Sequence, residues 1–239
     1  SYDATVYQSE DAGENWKPRL IATDAWLKDL EYKPCSRKVM YASGRGVYKS
    51  KDAGLNWLHL DKNGLPPDSI VMRIELALAI SNPKVVYALV IYKNSGNSDI
   101  YLSEDDGGTF HKIISAQSSP EWRTAMVVDP NNHELVYFTA GNKVHRLYRY
   151  NKTWRQEYTG GFIHDDVHDL NFFKGDKTLF ASTDGGLFGS TDSGKSWLDF
   201  NAGLNIAECW SIAVSQTGPV TLLSGLQDCG TILYKSSPD

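Results

Sequence analysis

One eight-residue pattern, Ser-x-Asp-x-Gly-x-x-Trp/Phe, occurs four times in the chain and constrains its fold more than any other feature. The four copies, which we call boxes, span residues 9–16, 50–57, 103–110 and 190–197. An active site is normally built once in a domain, whereas a motif that recurs along a chain marks a structural repeat. The boxes therefore predict a series of similar structural units rather than four catalytic centres.

Each box lies within a longer pattern of short segments in which apolar and polar residues alternate. The segments are rich in Val, Tyr, Phe, Leu and Ile and are bounded by Gly, Asn, Asp and Pro, which is typical of β-strands. Four such strands, A to D from the inside outwards, occupy roughly 40–50 residues, the size of one β-propeller blade. We expect an all-β propeller of four-stranded antiparallel blades, with about four full blades and a split or partial fifth. The units expected within this single domain are residues 1–22, 23–62, 70–115, 121–159, 163–201 and 207–239.

The box is expected to close the tight turn between strands C and D. Its aspartate can accept hydrogen bonds from backbone N–H groups two residues further on, as in an Asx turn. Its glycine supplies the positive φ that such turns often require, and its closing aromatic residue can bury apolar surface against the sheet. We therefore predict a structural role for the box aspartates, which are Asp11, Asp52, Asp105 and Asp192. One unit keeps only Trp154 of the pattern, so the fold tolerates a C–D turn without a box.

Composition argues against several classes of protein. The net charge of −5 disfavours nucleic-acid binding, which needs a basic face. The most apolar run, at residues 85–92, is strand-length and too short to cross a bilayer, so no membrane insertion is expected. No cofactor is expected either.

The chain begins at Ser1 without a visible signal peptide, and we expect an open arc cut from a larger propeller, with a closed five-bladed ring as the alternative.

The box within a four-strand unit resembles the Asp-box, or BNR, repeat of sialidases, xyloglucan-type glycoside hydrolases and sortilin-like receptors. Two further segments, IHDDVHDLNFF at 163–173 and GLNIAECWSIAVSQTGPVTLLSGLQDCGT at 203–231, resemble those of large secreted repeat proteins of Bacteroidota. The chain departs from that pattern at Leu226 and at Cys229, where asparagine is usual. The resemblance implies a secreted or cell-surface protein, a client of type IX secretion, with other domains of the same polypeptide as partners.

Blade geometry separates the boxes from the face on which propellers usually hold ligands. The A–B and C–D turns lie on one face, and the starts of strand A and the B–C loops lie on the other, which we call the upper face. Aromatic rings beside Asp, Asn and Gln suit a sugar and equally suit an extended peptide; ordinary turns are the alternative for Asp184 and Asp228. The predicted ligand-binding residues are Trp26, Trp122, Arg123, His164, Asp166, His168, Asp184, Trp210, Gln227 and Asp228.

Three of these residues, His164, Asp166 and His168, alternate along the sequence and would point to one side of a strand. Two imidazoles and a carboxylate suit a divalent transition metal. The preferred expectation is that no metal binds and that these side chains bond to neighbouring blades or line a solvated channel.

The cysteines permit one cross-link. Cys209 opens strand A of the last unit and Cys229 follows its strand B, so the two lie at the same end of an antiparallel pair. The geometry allows a disulfide between them, which would fit an exported protein. Free thiols are the alternative, and Cys35 stays unpaired in either case.

The favoured function is a non-catalytic binding or adhesion propeller that recognises a glycan or a peptide at the upper face. The alternative is a glycoside hydrolase, which needs two carboxylates about 5–9.5 Å apart. The candidate pair would come from Asp166, Asp184 and Asp228, with Asp165 also in reach. A structural spacer is the third possibility. A sialidase is disfavoured, because the sequence lacks the Phe/Tyr-Arg-Ile-Pro segment that sialidases share.

Overall fold

The computed structural model describes residues 3–117, 119–173, 177–204, 206–216 and 220–236. The chain forms two compact units, Ser1–Thr159 and Gly160–Asp239. Among the described residues, regular structure is β-strand apart from two 3₁₀ turns, Asp68–Ile70 and Glu121–Arg123. The outer bounds of the first and last repeat units predicted from the sequence, at residues 1 and 239, lie outside the described residues.

The first unit contains a hairpin followed by three four-stranded antiparallel sheets, each with its strands in sequence order. The hairpin consists of β1 (Ala4–Gln8) and β2 (Lys17–Ala22). The next sheet consists of β3 (Asp29–Tyr32), β4 (Met40–Ser43), β5 (Val47–Ser50) and β6 (Leu58–His59). It is followed by the sheet of β7 (Val71–Leu78), β8 (Val86–Tyr92), β9 (Asn97–Ser103) and β10 (His111–Gln117). The last sheet of this unit consists of β11 (Met126–Asp129), β12 (Asn132–Ala140), β13 (Lys143–Tyr150) and β14 (Thr153–Tyr158).

The second unit contains one four-stranded sheet and one three-stranded sheet, again in sequence order. The former consists of β15 (Val167–Phe172), β16 (Leu179–Thr183), β17 (Gly186–Ser190) and β18 (Leu198–Asp199). The latter consists of β19 (Cys209–Val214), β20 (Thr221–Leu226) and β21 (Thr231–Lys235). The prediction of an all-β chain with four full four-stranded antiparallel sheets and incomplete further sheets is confirmed.

Strand β8 shows why its sequence is continuously apolar rather than alternating. Val86 and Val90 pack into one buried cluster that includes Tyr41 of the preceding sheet. Leu89, one position away, packs into a second cluster that includes Phe138 of the following sheet. The sheet of β7–β10 is therefore covered on both faces, and a central strand covered on both faces is typically a near-continuous apolar run.

An ion-pair cluster built on Asp106, the fourth residue of the third box, joins two neighbouring sheets of the first unit. Its carboxylate accepts hydrogen bonds from Lys33 Nζ and Lys49 Nζ, each at 2.7 Å, and from Tyr41 Oη at 2.8 Å. Burial alone would raise the pKa of Asp106, but these hydrogen bonds outweigh it and the pKa is lowered. The cluster ties the strands β4 and β5 to the third box.

The four boxes share one hydrogen-bond pattern. The serine hydroxyl donates to the aspartate Oδ1 at 2.8–2.9 Å and accepts the N–H of the glycine at 2.7–2.9 Å. The aspartate Oδ1 also accepts the N–H of the residue four positions on, at 2.8–2.9 Å. The prediction placed this N–H two positions on; the wider loop arises because two successive residues turn through the left-handed region.

These left-handed residues are the box glycine and the residue before it, as in Ala53 (φ 61°) and Gly54 (φ 84°). The positive φ of the glycine was predicted from the sequence, whereas the positive φ of the residue before it was not. The closing aromatic residue buries less than expected at the first box, where Trp16 is 60% exposed and its indole N–H donates to the Gly13 carbonyl at 2.9 Å.

The turn without a box closes by a different mechanism. Strands β13 and β14 are joined by Asn151 and Lys152, with φ of 48° and 62°. A two-residue loop with positive φ at both positions is the primed hairpin turn that matches the twist of adjoining strands. Trp154 lies edge-on to the Tyr87 ring at 6.0 Å, so it still packs against a neighbouring sheet.

Candidate functional site

Three turns of the second unit bring three carboxylates together. Asp166 lies just before β15, Asp184 lies in the β16–β17 turn and Asp228 lies in the β20–β21 loop. One oxygen atom from each carboxylate lies within 4.8 Å of the others. We call these three residues the acid cluster. They are the same aspartates that sequence analysis gave as the alternative catalytic residues, and they lie far apart in the sequence because each follows a different strand connection.

The structure does not bring together the three residues that the sequence offered as metal ligands. His164, Asp166 and His168 do not alternate along a strand, because β15 begins only at Val167 and Asp166 has a φ of 62°. Among the described residues, the group of three whose potential ligand atoms converge consists of carboxylates alone. His168 instead contacts the cluster from one side, with Nε2 2.6 Å from Asp184 Oδ1.

His164 is held between two backbone carbonyl groups. Its Nδ1 lies 3.0 Å from the Asp165 carbonyl oxygen, and its Nε2 lies 3.2 Å from that of Asp228. Since a carbonyl oxygen only accepts, both ring nitrogens have to donate, as they do in the imidazolium form. Burial acts to lower the pKa of His164, but these hydrogen bonds and the nearby Asp165 and Asp184 charges raise it. These two hydrogen bonds tie the residues before β15 to the Asp228 loop.

Gly185 is the residue that permits this position of His164. A Cβ at Gly185 would lie 2.4 Å from the imidazole ring, a distance that real side chains essentially never show. The Asp-Gly-Gly segment was predicted from the sequence as a turn or as a carboxylate at the ligand-binding face, without a role for its glycines. In the sequence, the two adjacent glycines after Asp184 were the feature that could have indicated a close approach of another side chain to the backbone.

An aromatic side chain projects at the same end of the three-stranded sheet. Trp210 is 72% exposed, and its indole N–H donates to Gln227 Oε1 at 2.7 Å. The Gln227 backbone N–H in turn donates to the Glu208 carbonyl at 3.0 Å. An exposed indole held in place by an amide offers a flat apolar face to a ligand.

The disulfide considered from the sequence is not formed. Cys35, Cys209 and Cys229 are free and exposed. Cys209 pairs in register with Leu226, three residues before Cys229. The Cys229 thiol donates instead to the Asp184 carbonyl oxygen, with Sγ at 3.7 Å.

The remaining predicted ligand residues belong to the first unit. Trp26 has a φ of 43° and carries Lys28 Nζ 4.6 Å from its ring centroid. Trp122 and Arg123 lie in a 3₁₀ turn before β11 rather than on a strand; Trp122 is 59% exposed and the Arg123 guanidinium lies 5.8 Å from its ring. These residues therefore belong to a different unit of the chain from the acid cluster.

The first unit also buries charged groups that sequence analysis missed. Arg73 forms an ion pair with Glu75 two residues along β7. Burial raises the pKa of Glu75 to about 8, even though the Arg73 charge opposes this. Burial likewise raises the pKa of Asp29, which accepts the Leu76 N–H at 3.1 Å. In the sequence, the one sign of buried charge in this region is that Glu75 interrupts the apolar run of β7.

Comparison with known proteins shows the fold. No protein-family model matches the sequence, and no curated protein matches it significantly. The GH74 xyloglucanase from Xanthomonas campestris superimposes with a TM-score of 0.56 over 96% of this chain at 18% identity. A chain of a nidogen–laminin complex gives a TM-score of 0.55 over 92% at 15% identity, and YCF48 bound to D1 peptide gives 0.52 over 98% at 14% identity.

These structures are β-propellers, so the chain has the β-propeller fold that its repeats predicted. It spans 38% of the length of the xyloglucanase, 80% of the nidogen–laminin chain and 72% of YCF48. At these identities the likeness concerns the fold alone. Within the described residues, no helix has the length and hydrophobicity needed to cross a membrane.

Proposed function

We propose that this chain is a non-catalytic recognition propeller whose acid cluster and Trp210 bind a basic, extended peptide. The observation that carries the proposal is the convergence of three carboxylate oxygens within 4.8 Å. The 72% exposed indole of Trp210 donates to Gln227, the residue before Asp228, so the same loop carries negative charge and fixes a flat apolar surface.

Electrostatics favours a cationic ligand over a neutral one. Three like charges at such distances repel each other, and solvent around these partly exposed carboxylates screens part of that repulsion. His168 contacts the cluster from its edge, with Nε2 2.6 Å from Asp184 Oδ1. An arginine or lysine side chain of a ligand would reduce this repulsion, and its cation could stack on the Trp210 face.

The structural neighbours support a ligand-binding role of either chemical kind. Their names record a xyloglucan-degrading enzyme, a protein bound to a peptide and a complex between two proteins. A glycan therefore remains the alternative ligand, since an exposed indole with Gln227 beside it also suits a sugar ring. The concentrated negative charge favours the peptide.

A glycoside hydrolase is the second candidate function. Its support is the spacing within the acid cluster, which approaches the roughly 5–5.5 Å between carboxyl groups of retaining glycosidases. In that mechanism Asp166, Asp184 and Asp228 would supply a nucleophile and a general acid. Incubation with xyloglucan gives a direct test: our proposal expects no new reducing ends. Hydrolysis that disappears in Asp184→Asn would replace recognition by catalysis.

The proposal includes an exported location. The four boxes and the two segments that resemble Bacteroidota repeat proteins support an Asp-box repeat protein that is secreted, or held at the cell surface, through type IX secretion. Other domains of the same polypeptide would then position the propeller. Fractionation of the source cells tests this point, because the protein is expected in the envelope or medium and its recovery from the cytosol alone would contradict export.

Titration with a defined basic peptide tests the recognition function. The probe is acetyl-Gly-Arg-Gly-Arg-Gly-amide, and the controls are the same peptide with glutamate in place of arginine, and xyloglucan oligosaccharides. We expect the basic peptide to bind and the two controls not to bind. The affinity for the basic peptide should fall about tenfold in the Asp184→Asn/Asp228→Asn double variant and by a smaller factor in Trp210→Ala. Binding of the oligosaccharides that is lost in Trp210→Ala would establish the glycan instead, and no binding to either would leave a structural spacer.

A further inference from the structure

A second recessed surface lies on the first unit, at the end of the sheet where β8 connects to β9. Its apolar lining comes from Met72 on β7, Ile91 on β8 and Pro120 before β11. The β8–β9 loop, residues 94–96, supplies a polar rim. The recess encloses about 470 Å³, within the range of sites that hold small molecules and side chains. We call it the Met72 groove.

The walls of the Met72 groove are held in place by hydrogen bonds. The hydroxyl of Tyr92, which lines the groove, donates to Asp99 Oδ2 at 2.8 Å. Asp99 is itself held by Lys112 Nζ at 2.8 Å and by the Ser115 hydroxyl at 2.6 Å. A wall that is already ordered costs a ligand little conformational entropy on binding.

Hydrogen bonds also hold the part of the groove lining formed by Pro120 and Glu121. The Arg123 backbone N–H donates to the Pro120 carbonyl at 3.0 Å, and the Thr124 hydroxyl donates to the same oxygen at 3.1 Å. The Arg73 guanidinium donates to the carbonyl oxygen of Glu121. These bonds set the position of the 3₁₀ turn that carries Glu121 into the groove lining.

The carboxylate of Glu121 gives the Met72 groove a chemical preference. In the part of the chain that the structure describes, this carboxylate forms no ion pair and no hydrogen bond, whereas Arg73 pairs with Glu75 and Arg149 pairs with Glu134. An unpaired negative charge beside an apolar lining is complementary to a ligand that carries a cation next to an apolar group.

We propose that the Met72 groove binds an extended peptide segment in which a lysine or arginine adjoins an aliphatic residue. The aliphatic side chain packs on Met72, Ile91 and Pro120, and the cation lies beside Glu121. Asn94 and the backbone groups of the loop at 94–96 can pair with the peptide main chain. Apart from Tyr92, the apolar lining is aliphatic, which favours a peptide side chain over a sugar. This surface belongs to the first unit and goes beyond the function proposed for the acid cluster.

Nuclear magnetic resonance titration with acetyl-Gly-Lys-Leu-Gly-amide tests the proposal. We expect amide signals of Met72, Ile91, residues 92–96 and residues 119–123 to shift. Replacing lysine by glutamate in the peptide is expected to weaken binding about fivefold, and replacing leucine by serine about tenfold or more. Binding is also expected to weaken in 0.5 M salt, because the ion pair at the rim is screened.

Two variants of the protein separate the groove from the rest of the surface. Gly96→Phe adds an aromatic ring to the loop that lines the groove and should weaken binding; a Cβ at Gly96 meets no heavy atom within 4 Å, so the backbone has room for a side chain there. Glu121→Gln should weaken binding about fivefold. The matched control is Glu104→Gln, an exposed acid in the third box, which should bind like the unmodified protein.

The results that overturn the proposal are equally defined. They are the absence of shifts at millimolar peptide, unchanged affinity in a folded Gly96→Phe variant, or equal binding of the glutamate-containing peptide. Shifts of the same signals with xyloglucan oligosaccharides but not with the peptide would also overturn it. Because the readout is the shift of signals from residues that line the Met72 groove, failure here is distinguishable from failure of the acid cluster to bind its ligand.

Discussion

Two aspartates of one sheet, Asp192 in the box and Asp184 in the β16–β17 turn, show how the same side chain takes opposite roles. Oδ1 of Asp192 accepts from the Ser190 hydroxyl and the Ser196 N–H, each at 2.9 Å, and Oδ2 accepts from the Ser196 hydroxyl at 2.7 Å. These bonds lower its pKa to about 2. Asp184 instead faces two further carboxylates and one imidazole. An acid satisfied by its own turn stabilises that turn, whereas an acid facing other acids is available to a ligand.

The largest effect on stability is expected at the box side, from Asp106→Ala. This change leaves Lys33 and Lys49 without their shared carboxylate, and Lys49 is only 8% exposed. Breaking a partly buried pair in this way costs about 3 kcal/mol in the free energy of unfolding. Urea denaturation measures the loss, and a value below about 0.5 kcal/mol would show that the cluster does not join the sheets.

A smaller loss is expected from Ser50→Ala. The Ser50 hydroxyl is fully buried and makes hydrogen bonds with Asp52 and with the Gly54 N–H. Its removal should cost about 1–2 kcal/mol, because the Gly54 N–H loses its acceptor. Thr153→Ala, in the turn without a box, is the matched control and should stay within about 0.5 kcal/mol. Equal losses at both positions would remove the distinction between the two kinds of turn.

The pH dependence of unfolding should reveal the box aspartates. The folded pKa values of Asp11, Asp105 and Asp192 are each lowered to about 2. A lowered folded pKa contributes stability that is present above the unfolded value, near 3.9 for aspartate, and is lost as the pH falls through the folded value. Stability should therefore decline between about pH 4 and pH 2. Asp105→Asn should make this decline shallower, and an unchanged slope would contradict the assignment.

The smallest effect on stability is expected in the acid cluster. Asp228→Asn removes one of three mutually repelling charges, so the free energy of unfolding should stay within about 0.5 kcal/mol of the unmodified protein or rise slightly. The same urea denaturation experiment checks this expectation. A loss of more than about 2 kcal/mol would make Asp228 a structural residue like the box aspartates.

The difference between local and non-local contacts explains what could be predicted from the sequence. A box closes on itself within eight residues, so its glycine φ and its aspartate role could be predicted from the pattern. The arrangement around His164 could not be predicted, because the left-handed Asp166 ends the apparent alternation and the partner carbonyl of Asp228 lies 64 residues away. The burial of Glu75 depends on neighbouring strands that the local sequence of β7 does not specify.

The division between structural boxes and a binding site at the opposite end of the sheets can be tested most directly with two variants of one sheet. The measurement is the affinity for acetyl-Gly-Arg-Gly-Arg-Gly-amide, taken together with the thermal midpoint, in Asp192→Asn and in Asp184→Asn. We predict that Asp192→Asn lowers the midpoint and changes the affinity less than twofold, and that Asp184→Asn keeps the midpoint and loses about fivefold in affinity. The reverse pattern, with binding lost at the box and stability lost at the β16–β17 turn, would contradict this account.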